Sequence, residues 1–171
     1  MKRTSVQSEI KQSRPFRSKQ QEATVALLRT ASVVGRALAR VLEPWNLSLA
    51  QYNALRIIRG AGADGISTLA IRERMIEEGT TITRIVDRLE EAGYVERERA
   101  MPDRRQVTCR ATAAGVKLLD KIDPLVDAAD EEAVSALSAR DLAQFVELLD
   151  TVRGANAKRG APRTMIRANP D

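Results

Sequence analysis

The sequence contains no histidine, only one cysteine and no glycine-rich phosphate loop among its 171 residues. Without histidine it lacks the commonest general base of enzymes, any Ser-His-Asp or Cys-His arrangement and the most frequent zinc ligand. The single cysteine, Cys109, can form neither an intrachain disulfide nor a cysteine cluster around a metal, which is typical of a protein from the reducing cytoplasm. We therefore expect no catalytic activity, no metal and no cofactor.

Aromatic residues and long apolar runs are also scarce. Phe, Trp and Tyr make up 3% of the chain, so the core has to be aliphatic. No apolar run is long enough to cross a bilayer, and the basic N-terminus lacks the apolar stretch of a secretory signal. With 43% hydrophobic and 30% charged residues, the composition is typical of a soluble globular protein, and we expect it in the cytoplasm without membrane contact.

The net charge of +5 is unevenly distributed along the chain. Residues 1–20 carry six Lys or Arg and one acid, and residues 153–171 carry five and one. Between them lie 17 basic and 21 acidic residues. The basic character therefore belongs to the two ends, which we interpret as flexible arms over 1–20 and 154–171. Composition leaves open whether these arms are only solvated or contact phosphates.

Helical periodicity predicts three helices in the first half of the chain. The first covers about 22–42. Ser48, with Gln51 three residues later, forms the capping-box pattern that opens a second helix. Three glycines within 60–65 predict a loop, and a short third helix follows Ser67.

A fourth helix is predicted from about Thr80 to Ala92, ended by Gly93. Its apolar residues form one stripe, which comprises Ile82, Ile85, Val86 and Leu89. The candidate DNA contacts on its other face are Thr80, Thr81, Thr83, Arg84 and Arg88. Thr can bond a phosphate or touch a thymine methyl, and Arg can bond guanine with two hydrogen bonds. Taken alone, such residues are also typical of any solvated helix face.

After this helix the periodicity changes to alternation, which predicts a β-hairpin that begins near Tyr94 and returns over 107–111. Cys109 lies on the apolar side of the return strand, where we expect a small buried hydrophobic residue. The charged tip of the hairpin contains Asp103, Arg104 and Arg105. An arginine on a thin loop can enter a narrow minor groove, although arginine pairs are equally common in ordinary turns. The order of elements is that of a winged helix-turn-helix in a mainly α chain with a small β-hairpin wing, an α+β fold.

A long helix is predicted from about Thr112 to Leu137, and Pro124 should kink or split it. Its apolar seam is close to a heptad and comprises Leu118, Ile122, Leu125, Ala129, Ala133 and Ala136. Such a seam favours a dimer interface over the core of a single small domain, and the second reading stays open. Ser138 opens a last helix, which we expect to end at Gly154.

Residues 49–120 resemble the MarR (multiple antibiotic resistance regulator) family of bacterial transcription factors. The matching segments are Leu49-Ala50-Gln51-Tyr52 with Leu55, Thr80 to Glu90, Gly93-Tyr94-Val95-Glu96-Arg97, Asp103-Arg104-Arg105, and Thr112 with Gly115. Together with the flanking helices, the resemblance covers about residues 22–153.

The resemblance implies a homodimer that binds a palindromic operator in double-stranded DNA. It divides the chain into a dimerisation helix over 21–47, a winged helix-turn-helix over 48–111 and dimerisation helices over 112–153. It implies that the face from Thr80 to Arg84 reads the major groove, that Arg104 or Arg105 enters the minor groove, and that Asp103 orients a wing arginine. It also implies a repressor released by a small aromatic or anionic effector.

Other interpretations of these residues stay open. Glu77 and Glu78 precede the fourth helix and would repel phosphate, which favours an interaction module that binds a protein partner, or nucleic acid without sequence specificity. Trp45 and Tyr52 lie near the expected effector cleft, and we interpret both as core or interface aromatics. An enzyme is the least supported class, because no spacing of acids matches a catalytic pair.

Overall fold

The computed structural model describes residues 5–77, 81–99 and 107–160, with the side chains of residues 99 and 158–160 left aside. The helices of this part are α1 (Val6–Glu9), α2 (Lys19–Leu42), α3 (Leu49–Gly60), α4 (Thr68–Arg74), α5 (Ile82–Glu91), α6 (Ala113–Val134) and α7 (Ala139–Gly160). The strands are β1 (Ile66–Ser67), β2 (Val95–Arg99) and β3 (Val107–Ala111). The chain divides into two compact units, one that ends at Asp130 and one that begins at Glu131.

The three strands form an antiparallel sheet in the order β1-β3-β2. The predicted hairpin is present as β2 and β3, with Val95 opposite Ala111 and Arg97 opposite Cys109. Strand β1 was not predicted, because two residues are too few for a periodic pattern. Its Ile66 pairs with Cys109 from the other side, so β3 is the central strand.

Local capping residues set the helix starts around the sheet. The predicted capping box is confirmed, because Ser48 Oγ accepts from Gln51 N–H at 3.2 Å and Gln51 Oε1 accepts from Ser48 N–H at 2.8 Å. Ser67 Oγ accepts from Ala70 N–H at 3.2 Å and opens α4. Gly93 follows α5 with φ of 74°, a left-handed conformation that glycine adopts without a steric penalty.

The core is aliphatic, as the composition predicts, and the large side chains at its centre are Leu42, Leu55, Ile58, Ile71, Leu89, Leu119 and Ile122. The start of helix α6 packs closely against the hairpin. The approach is so close that a Cβ at Gly115 would overlap the Tyr94 carbonyl oxygen. Thr112 N–H donates to that same carbonyl at 3.0 Å. Glycine at position 115 therefore permits the close approach that joins α6 to the winged part.

Two expectations about the ends of the chain are wrong. The predicted flexible arm over 1–20 contains α1 and the start of α2, and the Glu9 carboxylate pairs with Arg29 of α2 at 2.7 Å. At the other end, α7 runs through Gly154 to Gly160. A glycine costs a helix interior only about 1 kcal/mol, so it does not have to end the helix. Residues 1–4 and 161–171 lie outside the described residues.

The long helix is α6, a single helix that contains Pro124, so the prediction that this proline splits it is wrong, whereas a kink stays a prediction. Ile122 and Val126, on either side of the proline, are buried. Within the predicted dimer seam, Leu118 and Ile122 are buried in this chain's own core, whereas Leu125 is 49% exposed. The first two residues of the seam therefore serve intrachain packing.

Candidate nucleic-acid interface

The first residues of the segment between α4 and α5 are held against α3. Met75 is buried at the end of α4, and Ile76 N–H donates to the side-chain oxygen of Asn53 at 3.0 Å. Residues 78–80, with the candidate contact Thr80, lie outside the described part. The helix pair has the order of a helix-turn-helix, in which the second helix, α5, is the recognition helix.

Helix α5 separates apolar and polar side chains as its sequence predicts. Its inner face is buried and comprises Ile82, Ile85, Val86 and Leu89. The candidate contacts that the structure describes on its outer face are all exposed, namely Thr81, Thr83, Arg84 and Arg88. The four inner residues fix α5 to the domain, so the outer face is free to meet a ligand as large as a duplex.

The two exposed arginines of α5 differ in their surroundings. Arg88 pairs with Glu91 at 3.2 Å, one turn along the same helix. Arg84 has no hydrogen-bond or ion-pair partner among the described residues. A guanidinium without an internal partner keeps its full donor set for a phosphate or a guanine edge. Of the two arginines, Arg84 is therefore the one whose donors are not engaged by another described residue.

An ion-pair cluster on the other side of α5 connects this helix to the hairpin. Arg97 of β2 donates from Nη1 to Asp87 at 2.7 Å and from Nε to Glu90 at 2.8 Å, and its Nη2 also bonds Glu90. The hydrogen bond from Arg97 lowers the pKa of Glu90, and that to Glu90 raises the pKa of Arg97. The sequence does not predict this role for Arg97, because its two partners depend on how β2 folds back along α5.

Arg110 anchors the second strand of the hairpin in a similar way. Its Nη1 pairs with Glu98 of β2 at 2.6 Å, and its Nε donates to the Ala63 carbonyl at 2.7 Å. The two hairpin arginines at 97 and 110 are therefore both paired with acids, Arg97 with acids of α5 and Arg110 with Glu98 of β2. The predicted tip residues, Asp103, Arg104 and Arg105, lie outside the described residues, and their contact with DNA stays a prediction.

A cavity of about 470 Å³ lies between α2, α3, the segment after α4 and α6. Most of its wall is apolar and includes Leu38, Met75 and Val126. Tyr52 and Arg56 supply an aromatic ring and a cation, with the Arg56 guanidinium carbon 5.7 Å from the ring centroid. The lining also includes two acids, Glu77 and Asp130, so the wall combines an apolar surface and an aromatic ring with charges of both signs.

Behind the cavity wall, a hydrogen-bonded network connects α3 to α6. Tyr52 donates its hydroxyl to Asp123 at 2.8 Å, and Arg59 pairs with the other oxygen of Asp123 at 2.6 Å. Burial and the bond to Asp123 raise the pKa of Tyr52 to about 12, so its hydroxyl keeps its proton. Burial raises the pKa of Asp123, but the bonds from Arg59 and Tyr52 outweigh it and leave the pKa below its ordinary value.

The described residues include one cysteine and no group that could hold a metal ion. Cys109 is fully buried, and burial raises the pKa of its thiol, in agreement with its predicted role as a small core residue. Across residues 5–77, 81–99 and 107–160, the acids and Cys109 form no group of three that could hold a metal ion. In the same ranges, no helix is long and apolar enough to span a membrane.

Comparison with known proteins places the chain among DNA-binding regulators. The family model described as "MarR family" matches residues 47–107. The transcriptional regulator HosA of Escherichia coli O157:H7 is 34% identical over 104 residues, which are 61% of this chain and 76% of HosA. The regulator PecS of Dickeya dadantii is 32% identical over 97 residues, 56% of this chain and 58% of PecS.

Solved structures agree with the sequence comparison. A MarR transcription factor from Planctomyces limnophilus is 34% identical, has a TM-score of 0.63 and covers 80% of this chain and 99% of its own. A mutant MarR from E. coli complexed with operator DNA is 26% identical, with a TM-score of 0.67 over 74% of this chain and 90% of its own. The winged helix-turn-helix expected from the order of elements is therefore confirmed.

Proposed function

Because this chain belongs to the MarR family, whose members are transcriptional regulators and not enzymes, we propose that it is a homodimeric repressor that binds a palindromic operator. Each subunit places α5 in the major groove. The observation that carries this proposal is the outer face of α5, where Thr81, Thr83 and Arg84 are exposed and Arg84 has no partner among the described residues. We add Arg88 of the same face as a further contact, together with Thr80, which lies outside the described residues.

The hairpin completes the contact in this proposal. Arg104 or Arg105 enters the minor groove, and Asp103 orients the arginine through an ion pair. Arginine is favoured there because a narrow minor groove has an enhanced negative potential. Support comes from the two strands, which pair regularly up to Arg99 and Val107, the residues that flank this segment.

A second copy of the chain is the partner that we propose for the end helices. Helix α7 exposes large apolar side chains, Phe145, Val146, Leu148 and Val152, and α2 exposes Leu27, Leu28 and Val33. A palindromic operator presents two equal half-sites one helical turn apart, which a two-fold dimer matches.

The effector that we propose is a small aromatic or anionic molecule held in the cavity beside Tyr52 and Arg56. The segment that contains Met75 and Ile76 forms part of the cavity wall and leads directly to α5. A ligand that prefers a shifted position of this segment therefore changes the orientation of α5 and releases the DNA.

The test is fluorescence anisotropy of the purified protein on duplex DNA from upstream of its own gene and on a scrambled duplex, across a salt series. We expect the upstream duplex to bind roughly a thousandfold more tightly. Arg84→Ala should remove most of that preference, because it deletes a base-edge or phosphate contact. Arg140→Ala, which removes an equal charge from an exposed position of α7, serves as the control and should change little.

Equal binding of both duplexes that disappears with salt would overturn the proposal. Such binding reflects phosphate attraction alone. It would instead support a winged-helix module that binds a protein partner, or nucleic acid without sequence specificity.

A further inference from the structure

We propose that Arg97 is a positioning residue for DNA recognition, which holds α5 at a defined rotation relative to the hairpin. The inference rests on the DNA binding proposed above and assigns a role to a side chain that itself need not touch DNA. It concerns the cluster formed by Arg97, Asp87 and Glu90.

The geometry of the cluster is that of a two-point clamp. Asp87 and Glu90 are three residues apart on α5, so their carboxylates lie one above the other on one side of the helix. Arg97 stands in the middle of β2, opposite Cys109 of β3, and reaches both carboxylates with separate nitrogens. The planar guanidinium fork fixes direction as well as distance, which a single lysine ammonium cannot do.

The clamp adds a directional constraint on α5, which the apolar core does not provide. Ile82, Ile85, Val86 and Leu89 hold α5 by apolar contact, which is strong but not directional. A recognition helix has to present its side chains within about 0.5 Å and 10–20° of the productive geometry. Two charge-assisted bonds one turn apart oppose rotation of α5 about its own axis, so they fix where Thr83 and Arg84 point.

The same bonds also neutralise charge at the interface. Without Arg97, the carboxylates of Asp87 and Glu90 would remain on a helix that has to approach phosphates. Both are partly exposed, at 40% and 38% of their side-chain surface. Loss of Arg97 therefore has two effects, a loosened helix and an added repulsion, and the two can be separated because only repulsion depends on net charge and salt.

The separating experiment compares Arg97→Ala with the charge-matched double variant Arg97→Ala/Glu90→Gln, which has the wild-type net charge but no clamp. Binding to the upstream and scrambled duplexes is measured by anisotropy across a salt series. We expect Arg97→Ala to weaken binding to the upstream duplex roughly tenfold or more. The double variant should recover the affinity for scrambled DNA without recovering the preference for the upstream duplex.

Two further variants test the specificity of this role. Arg97→Lys keeps the charge but loses the fork, and it should recover part of the preference. Arg59→Ala breaks an ion pair whose arginine is as exposed as Arg97, between α3 and α6, and it should leave the preference unchanged. Circular dichroism and urea unfolding establish that each variant is folded.

Amide hydrogen exchange of the DNA-free protein supplies a readout that does not depend on DNA. Arg97→Ala and the double variant should both raise exchange in α5, more than their change in global stability explains. If the wild type fails to distinguish the duplexes but α5 loses protection as expected, the proposed function fails and the clamp stands. If the double variant regains the full preference, or if α5 exchange is unchanged, the positioning role is refuted.

Discussion

The winged part of the chain buries its large apolar side chains, whereas the last helix, α7, exposes them. Within the described residues, every buried hydrophobic side chain lies between Leu42 and Val126. Helix α7 has no buried residue over 139–157, although it carries Phe145, Leu148 and Val152 at 36–57% exposure. The winged part therefore buries its apolar side chains in a core, whereas α7 exposes an apolar face of the kind that marks contact sites.

Helix α2 is intermediate between the winged part and α7 in how much of its apolar surface is buried. Of its 24 residues only Leu42 is buried, whereas Leu28 is 66% exposed. Its C-terminal half contributes Leu38 to the cavity wall. In the dimer that we propose, these exposed apolar residues of the end helices would contact the second copy, and the winged part would contact DNA.

The largest effect that we predict is on assembly, from Leu148→Asp in α7. If this face is the dimer interface, the variant buries an unpaired charge from each subunit, at a cost of about 3–5 kcal/mol per charge. The dissociation constant of the dimer should then rise more than a hundredfold. Sedimentation velocity over a concentration series measures this change.

Leu69→Asp is the matched control for assembly, because Leu69 of α4 is 55% exposed and Leu148 is 57% exposed. The control should leave the dimer intact, since Leu69 belongs to the winged part. A dimer that survives Leu148→Asp would refute the assignment of α7. Dissociation caused by Leu69→Asp would show that the winged part also contributes to assembly and would break the comparison.

The second prediction compares the free energy of unfolding after Gly→Ala substitution at two positions, one packed against the winged part and one in α7. At Gly115 a Cβ would overlap the Tyr94 carbonyl oxygen and lie 3.3 Å from Leu55, so Gly115→Ala should lower the free energy of unfolding by about 3 kcal/mol. At Gly154 of α7 a Cβ meets nothing within 4 Å. Gly154→Ala should therefore raise the free energy of unfolding by about 0.5–1 kcal/mol through helix propensity.

Urea unfolding followed by circular dichroism gives both values. The decisive outcome is their sign, because the same substitution should destabilise one region and stabilise the other. Equal destabilisation at both glycines would mean that α7 is as closely packed in solution as the winged part.

Much of the winged part could be predicted from sequence, because the relevant patterns are local. The capping box at Ser48, the apolar stripe of α5 and the turn at Gly93 each involve residues within one or two helical turns. Their interactions are fixed once the helix forms, so spacing alone identifies them. The resemblance to the MarR family followed from the same local segments.

The parts that sequence reasoning missed depend on contacts between distant residues. Arg59 and Tyr52 meet Asp123 across 64 and 71 positions, and β1 exists only because Ile66 pairs with Cys109. The positive charge of residues 1–20 predicted a flexible arm, but the pair of Glu9 with Arg29 ties part of it to α2. The proposed contacts with DNA stay predictions, since no local pattern distinguishes them from a solvated surface.

The smallest effect that we predict is a pH-dependent one at Asp123. Asp123→Asn removes the ion pair with Arg59 but keeps an oxygen that can accept from Tyr52, so it should cost about 1.5 kcal/mol at pH 7. The pKa of Asp123 is lowered in the folded protein, so its stabilising effect is complete above the unfolded pKa of about 4. It is lost as the pH falls through the folded pKa. The stability difference between wild type and variant should therefore be constant from about pH 7 to 5 and shrink below about pH 4.

Asp150→Asn in α7 is the control, because it removes an ion pair from the exposed helix instead of the winged part. Asp150 also pairs with an arginine, Arg153, but both side chains are more than 60% exposed. An exposed pair contributes little because solvent screens its charges and its side chains lose entropy on pairing. We expect urea unfolding at a series of pH values to show no difference for Asp150→Asn at any pH. If both variants lost equal stability with the same pH profile, the pair in α7 would have to be shielded from solvent, which a second copy of the chain covering that face would explain.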